Sequence, residues 1–136
     1  MTPVLVDTGF LVALFDPTDA LAASAANYLK AHRHQLVATT ATVVEASFFF
    51  PPKAKADLLA WIRRGGMAVL DVPADAYAQL EMTLRKYSDQ DIDFADAALI
   101  WLAGETGAAQ VLTVDRKDFE IFRLKGGKRF EVIDWF

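Results

Sequence analysis

Short runs of unbroken hydrophobic residues alternate along this chain with longer stretches in which apolar positions recur every three or four residues. The first kind predicts buried strands at Val4-Leu5-Val6, Gln35–Ala38, Met67–Val72 and Val111–Val114, with a fifth at Glu131–Ile133. The second kind predicts helices between them. Gly9–Phe15 reads as a short helix broken by Asp16-Pro17, after which Thr18 or Asp19 can cap an alanine-rich helix reaching about His32. An apolar helix starts at Thr42 and ends near Phe50, because Pro51-Pro52 lacks the backbone donors to continue it. Lys53–Arg64 predicts another, stopped by Gly65-Gly66. Ala74–Lys86 is amphipathic, with Tyr77, Leu80 and Leu84 along one face. A helix from about Phe94 to Glu105 follows a polar turn and stops at Thr106-Gly107.

Strands too apolar to alternate face by face, and separated by helices, need cover on both sides. The pattern therefore predicts the α/β class: a three-layer α/β/α domain around a mostly parallel, five-stranded sheet. Its 136 residues fit a single domain, 1–136, without repeat, linker or low-complexity segment.

Composition narrows the picture. A hydrophobic fraction of 54% and a mean hydropathy of +0.21 exclude a disordered chain and favour a heavily buried interior or an additional buried interface. No uncharged apolar run approaches the roughly 18 residues of a membrane span, and no cationic segment precedes the first strand as in a signal peptide. Cysteine is absent, which removes disulfides, thiolate zinc sites and cysteine nucleophiles, and makes a reducing cytoplasm the expected location. His32 and His34, at a helix end, suit the helix dipole better than a metal. The net charge of −4 argues against bulk attraction to nucleic acid. Arg116–Arg129, however, holds six basic and two acidic residues, leaving about −8 on the remainder. That strip is either a phosphate-backbone contact or a solvated face.

Against this background four acids stand out. Asp7 is the only charge in MTPVLVDTGFLVALF, and Glu45 the only one between Gln35 and Pro52. Asp96 opens the apolar run ADAALIWLA, and Asp115 closes VLTV. Carboxylates in such surroundings must be neutralised, hydrogen-bonded or bound to a cation. Two follow strands and two lie near the starts of helices, so all four are expected at the carboxyl edge of the sheet, where open parallel sheets carry their ligands. Each also has a structural explanation. Thr42-x-x-Glu45 and Asp93-x-x-Asp96 match capping boxes, Asp7 before Thr8-Gly9 an Asx-turn, and Asp118 a cap for a last helix. As a set, the acids describe a site for Mg²⁺ or Mn²⁺, which favour oxygen ligands and can supply a water nucleophile to a phosphodiester. The Thr8 and Thr113 hydroxyls would orient ligands or water.

The runs VDTGFLVALF, DFADAALIWLAGETGA and VLTVDRKDFEIFR, with the isolated Glu45 between them, resemble the PIN-domain nucleases, and especially the VapC-type toxins of bacterial toxin–antitoxin pairs. The resemblance covers essentially the whole chain. It implies a metal-dependent endoribonuclease in which Asp7, Glu45, Asp96 and Asp115 hold Mg²⁺ or Mn²⁺. It further implies Asp93 and Asp118 as accessory acids, Thr113 as a supporting hydroxyl, and Arg116, Lys117 and Arg123 as candidate RNA contacts, with Arg123 alternatively bracing the fold. The partners it implies are an RNA substrate, a cognate antitoxin and a second copy in a homodimer. Phe48-Phe49-Phe50 and Trp61 leave room for such interfaces or belong to the core. One departure is Leu21, near the position where the family often has a histidine after its early D-x-x-D element.

Two other classes remain open at this level. A non-catalytic RNA-binding scaffold of the same fold is expected to have lost one of the acids, and all four are present. An aspartate-based receiver or phosphatase also uses strand-end acids and Mg²⁺, but Asp7 has no second acid two positions on, and a turn accounts for Asp71 in VLDV.

Overall fold

The computed structural model describes residues 2–136. The chain runs β1 (Val4–Val6), α1 (Thr8–Phe15), α2 (Ala22–Ala31), β2 (Leu36–Thr39), α3 (Thr40–Ser47), α4 (Pro52–Arg63) and β3 (Ala68–Leu70). It continues through a 3₁₀ turn (Ala74–Ala76), α5 (Tyr77–Lys86), α6 (Phe94–Thr106), β4 (Gln110–Leu112), α7 (Arg116–Ile121) and β5 (Glu131–Val132). The strands form one sheet in the order β3-β2-β1-β4-β5, and every described pairing is parallel. Strand order reverses beside β1: the chain steps outward to β2 and β3, then returns to lay β4 along the other side of β1.

Strand residues sort their side chains between two cores, as the two-residue pleat requires. Leu5, Val37 and Val111 meet α6, Leu80 of α5, and Phe119 and Phe122 from the α7 region. Val4, Val6, Leu36, Ala38 and Leu112 meet Phe10 and Leu11 of α1, Tyr28 of α2, Ala46 of α3 and Leu58 of α4. This is the expected α/β/α sandwich. Helix α6 lies deepest, with Ala97 through Ala103 all buried, which explains why it is apolar on every side. It ends at Gly107, whose φ of 74° is the left-handed conformation that closes a helix.

Local boundaries differ from the sequence reading wherever polar side chains had more than one way to be satisfied. Neither Thr18 nor Asp19 caps α2, which starts after Leu21. Asp16 accepts from the Thr18 amide and hydroxyl at 3.0 and 2.7 Å, and Asp19 from the Leu21 amide at 2.8 Å, so these side chains are consumed in the preceding turn. Helix α3 begins two residues early, at Thr40 with Thr39 at its N-cap, and Thr42 is buried inside it. The Thr42–Glu45 capping box therefore does not form, and Glu45 loses its structural explanation. Helix α7 likewise begins before Asp118, with Asp115 at its N-cap. The Asp93–Asp96 box is present in both directions, at 3.0 and 3.2 Å. Of the three consecutive phenylalanines only Phe50 joins the core; Phe48 and Phe49 are 77% and 63% exposed. Trp61 is half-buried against Phe15.

Candidate active site

The site is founded on the β1–β4 pairing. Val6 lies opposite Leu112, so the residues that leave the two strands, Asp7 and Thr113, emerge side by side at the point where strand order reverses. The Asp7 amide donates to the Leu112 carbonyl at 3.0 Å, extending the ladder by one bond. Its carboxylate makes no cap bond to α1; instead Oδ2 accepts the Thr113 hydroxyl at 2.7 Å. The same Thr113 oxygen accepts the Asp115 amide at 2.9 Å, so one hydroxyl fixes both strand-end acids. The Thr113 carbonyl is held in turn by Trp135 Nε1 at 3.1 Å. Next to Asp7, the Thr8 hydroxyl is buried with no hydrogen-bond partner.

The remaining acids approach from helices. Glu45 comes from α3 and Asp96 from the first turn of α6, both half-buried; Asp93 precedes α6, and Asp115 sits exposed on the rim. Only Asp7 is fully sequestered, so the acids line a cleft with one buried member rather than a sealed chamber. Their proximity is pairwise: Thr113 links Asp7 with Asp115, Asp93 and Asp96 bond to each other, and Glu45 shares one cavity with Asp93 and another with Asp115. Burial pushes Asp7 up to about 6 against the Thr113 hydrogen bond, with Asp115 and Asp93 adding to the rise. Burial first, then the neighbouring Asp93 carboxylate and the charge of Asp7, bring Glu45 to about 7 against the opposing Thr8 hydroxyl nearby. Asp96 reaches about 8, through burial first and then Asp93 and Asp7, although the Asp93 amide opposes the shift. Partial burial, Asp118 and Asp93 raise Asp115. Asp93 thus acts on all four. The family resemblance implies an accessory acid at Asp93, and its local spacing an N-cap; the cap is present.

Among the described residues, no lysine, arginine or histidine forms an ion pair with any of these acids. Nor are three or more acidic or histidine side chains gathered into a preformed ligand set, Asp96 being turned back onto the Asp93 amide. The chemistry of the donors nonetheless fits a hard divalent cation: several carboxylates and an unpartnered buried hydroxyl, all oxygen, clustered without a compensating positive charge. Asp7, Glu45, Asp96 and Asp115 are the residues that could hold it.

The basic candidates divide. The Arg123 guanidinium donates to the carbonyls of Glu120, Ile121 and Phe122 at 2.6–3.0 Å, closing off the end of α7. Arg116 reaches Asp134 at 3.1 Å and lies over the Phe136 ring. Lys117 is exposed beside Asp115 and Asp118 on the rim. His32 and His34 stack with Tyr28, away from the acids. Asp71 leaves β3 and accepts the Thr40 hydroxyl.

The PIN domain family matches residues 4–123 of this chain. Ribonuclease VapC26 of Mycobacterium tuberculosis is 31% identical over 134 residues, spanning 96% of this chain and 99% of that protein. Two solved structures share the fold. Mycobacterium tuberculosis VapC20, described as a sarcin-ricin loop cleaving toxin, superposes with a TM-score of 0.73 at 20% identity, over 85% of this chain and 93% of that one. A toxin–antitoxin complex from Klebsiella pneumoniae gives 0.66 at 18% identity, over 98% of both chains. Together with five parallel strands that carry acids at the β1–β4 switch, these similarities establish that the chain belongs to the PIN-domain family and is of its VapC type.

Proposed function

We propose that this protein is a divalent-metal-dependent endoribonuclease, the toxin of a toxin–antitoxin pair, working in the cytoplasm. The observation that carries the reading is the convergence of Asp7, Glu45, Asp96 and Asp115, with Asp93 among them, at the reversal of strand order. The ribonuclease relative and the VapC structural neighbours support it. Asp7, Asp96, Asp115 and Glu45 would hold Mg²⁺ or Mn²⁺, which when bound offsets phosphate charge and lowers the pKa of water. Thr113 fixes the Asp7 and Asp115 geometry, and the Asp93 amide holds the Asp96 carboxylate at the first turn of α6, from which it would turn toward a bound cation. Exposed Lys117 is the basic group best placed to meet the RNA backbone near Asp115.

A groove of about 660 Å³ opens beside the acids, lined by Val12, Leu21, Phe48, Phe49 and Val114, with Glu45 and Asp115 at its acidic end. An amphipathic antitoxin segment with a basic side chain fits that combination of apolar walls and carboxylates. The Klebsiella pneumoniae complex supports a partner of this class. Exposed apolar side chains elsewhere, including Tyr77, Met82 and Phe94, support self-association as a homodimer.

The purified chain, freed of any antitoxin, is expected to cut RNA in Mg²⁺ or Mn²⁺ and to stop when EDTA is added. RNA binding without metal-dependent cleavage of any RNA pool would instead identify a scaffold.

A further inference from the structure

Two buried side-chain oxygens have no hydrogen-bond partner among the described residues, the Thr8 and Thr39 hydroxyls. Thr8 adjoins Asp7 in the chain; Thr39 reaches the site from another strand. Val4 lies opposite Leu36 and Leu5 opposite Val37, so the same register carried two residues further sets Thr39, the last residue of β2, beside Asp7. On the other side Val6 lies opposite Leu112, which sets Thr113 beside Asp7. Asp7 is thus flanked by a threonine on each neighbouring strand. Residues in parallel register share a face of the pleat, and for these three it is the face of Leu5, Val37 and Val111, covered by α6. Thr113 gives its hydroxyl to Asp7 Oδ2. The Thr39 side chain is 0% exposed, and its hydroxyl is given to nothing.

Its place in the chain offers Thr39 an easier arrangement. It is the N-cap residue of α3, with φ −96° and ψ 163°, the backbone conformation in which a threonine oxygen accepts from the first free amides of a helix, yet it makes no such bond. A hydroxyl buried without a partner is costly, and a cap would relieve it. Asp96 supplies the counterpart. It stands in the first turn of α6, half-buried, with its carboxylate held at 3.2 Å by the Asp93 amide. Turning toward a cation beside Asp7 would take the carboxylate off that amide and leave it without a protein donor. A buried donor that lacks an acceptor and a carboxylate that would lose its donor therefore stand on the same face of the sheet, at the same edge. We propose that Thr39 is a positioning residue of the cation centre. Its hydroxyl donates to the Asp96 carboxylate once that carboxylate leaves the Asp93 amide, as Thr113 donates to Asp7. For the cation this rests on the metal-dependent ribonuclease reading above.

Asp7 is the other acceptor near Thr39, but its carboxylate leans to the opposite strand, onto Thr113, and no bond joins it to Thr39. Two ordinary roles compete with the proposed one. Thr39 could cap α3 in solution, or it could serve packing alone. Valine has nearly the shape of threonine without the hydroxyl, so the three roles differ in what Thr39→Val does. Loss of a cap lowers stability without metal. A packing role leaves both stability and metal affinity in place. The proposed role leaves the metal-free protein at least as stable and weakens its hold on the cation.

Full-length wild type, Thr39→Val and Thr39→Ser are compared by calorimetric melting without metal and by titration calorimetry with Mn²⁺ alone. Thr39→Val is expected to melt at or above wild type without metal, because it deletes a buried polar group that has no partner. It should bind Mn²⁺ about tenfold more weakly, and Thr39→Ser, which keeps the hydroxyl, within about twofold of wild type. NMR during a Mg²⁺ titration reads the bond itself: the Asp93 amide proton of wild type should move upfield as its hydrogen bond to Asp96 is given up. A lower melting temperature for metal-free Thr39→Val identifies a cap and overturns the proposal. Equal Mn²⁺ affinity identifies packing and overturns it too. So do a serine variant as weak as the valine one, and Mg²⁺ binding that leaves the Asp93 amide unmoved. Wild type that binds no divalent cation removes this role and the metal-dependent nuclease together. Otherwise the two readings fail separately: Mn²⁺-dependent RNA cleavage, with Mn²⁺ affinity unchanged in Thr39→Val, removes the positioning role and keeps the nuclease. Mn²⁺ affinity that depends on Thr39, with no cleavage of any RNA, does the reverse.

Discussion

Asp7, the one fully sequestered acid of the site, carries an electrostatic cost whose sign can be tested. Its folded pKa of about 6 lies above its ordinary value of 3.8, so the folded chain binds this proton more tightly than the unfolded chain does. Below about pH 4 both states are protonated and nothing is lost. Between that point and about pH 6 stability falls as pH rises, by an amount on the order of 2–3 kcal/mol, and stays lower above it. Metal-free protein should therefore melt at a lower temperature at pH 7.5 than at pH 5, and millimolar Mn²⁺ should reverse the loss. Asp7→Asn keeps the acceptor for Thr113 while deleting the charge. In calorimetry without metal at pH 7.5 the variant should melt above wild type, and its RNA cleavage should fall by about a hundredfold or more. Cleavage equal to wild type would remove Asp7 from the centre.

At the scale of elements, the β1–β4 seam and the close approach of α1 position the acids. Thr113→Val preserves shape but strips Asp7 Oδ2 and the Asp115 amide of their shared partner. The expected cost is about 1–3 kcal/mol in urea unfolding, with Mn²⁺ affinity by titration calorimetry down about 10–100-fold. Thr113→Ser should recover most of both. Gly9 is needed for a different reason: a β-carbon there would collide with the side chain of Val114, in the turn that follows β4. Gly9→Ala is expected to destabilise by about 1–3 kcal/mol, and Gly9→Ala with Val114→Ala to restore much of the loss. If the second change adds to the first, the collision is not the cause. The elements themselves were legible wherever hydrophobic period and breaker agreed, as at α4, α6 and β1. Boundaries failed where one polar side chain could serve a turn or a cap, as Asp19 and Thr42 show. Sequence spacing does not reveal which backbone N–H such a side chain will meet.

At the scale of the whole molecule, the two exposed phenylalanines separate stability from association. Phe49 lines the groove beside the acids and contributes little to the core. Phe49→Glu is expected to change unfolding free energy by less than about 1 kcal/mol and to abolish co-purification with the co-expressed cognate antitoxin. Retained capture would place the antitoxin elsewhere.

The chain's own order of residues determined that strands and helices alternate, that the sheet is parallel and covered on both faces, and that acids stand at its carboxyl edge. Those properties depend on local period and on which backbone groups can be satisfied nearby. Tertiary structure decided the rest. It placed β4 against β1, so that Thr113 reaches Asp7 from 106 residues away, and it buried Asp7 while leaving Asp115 on the rim. It also brought Asp93 close enough to raise the pKa of Asp7, Glu45 and Asp115, and gathered Phe48, Tyr77 and Phe94 around one cavity. Burial and charge coupling depend on distance through space, and segments far apart in sequence acquire a distance only when the sheet assembles.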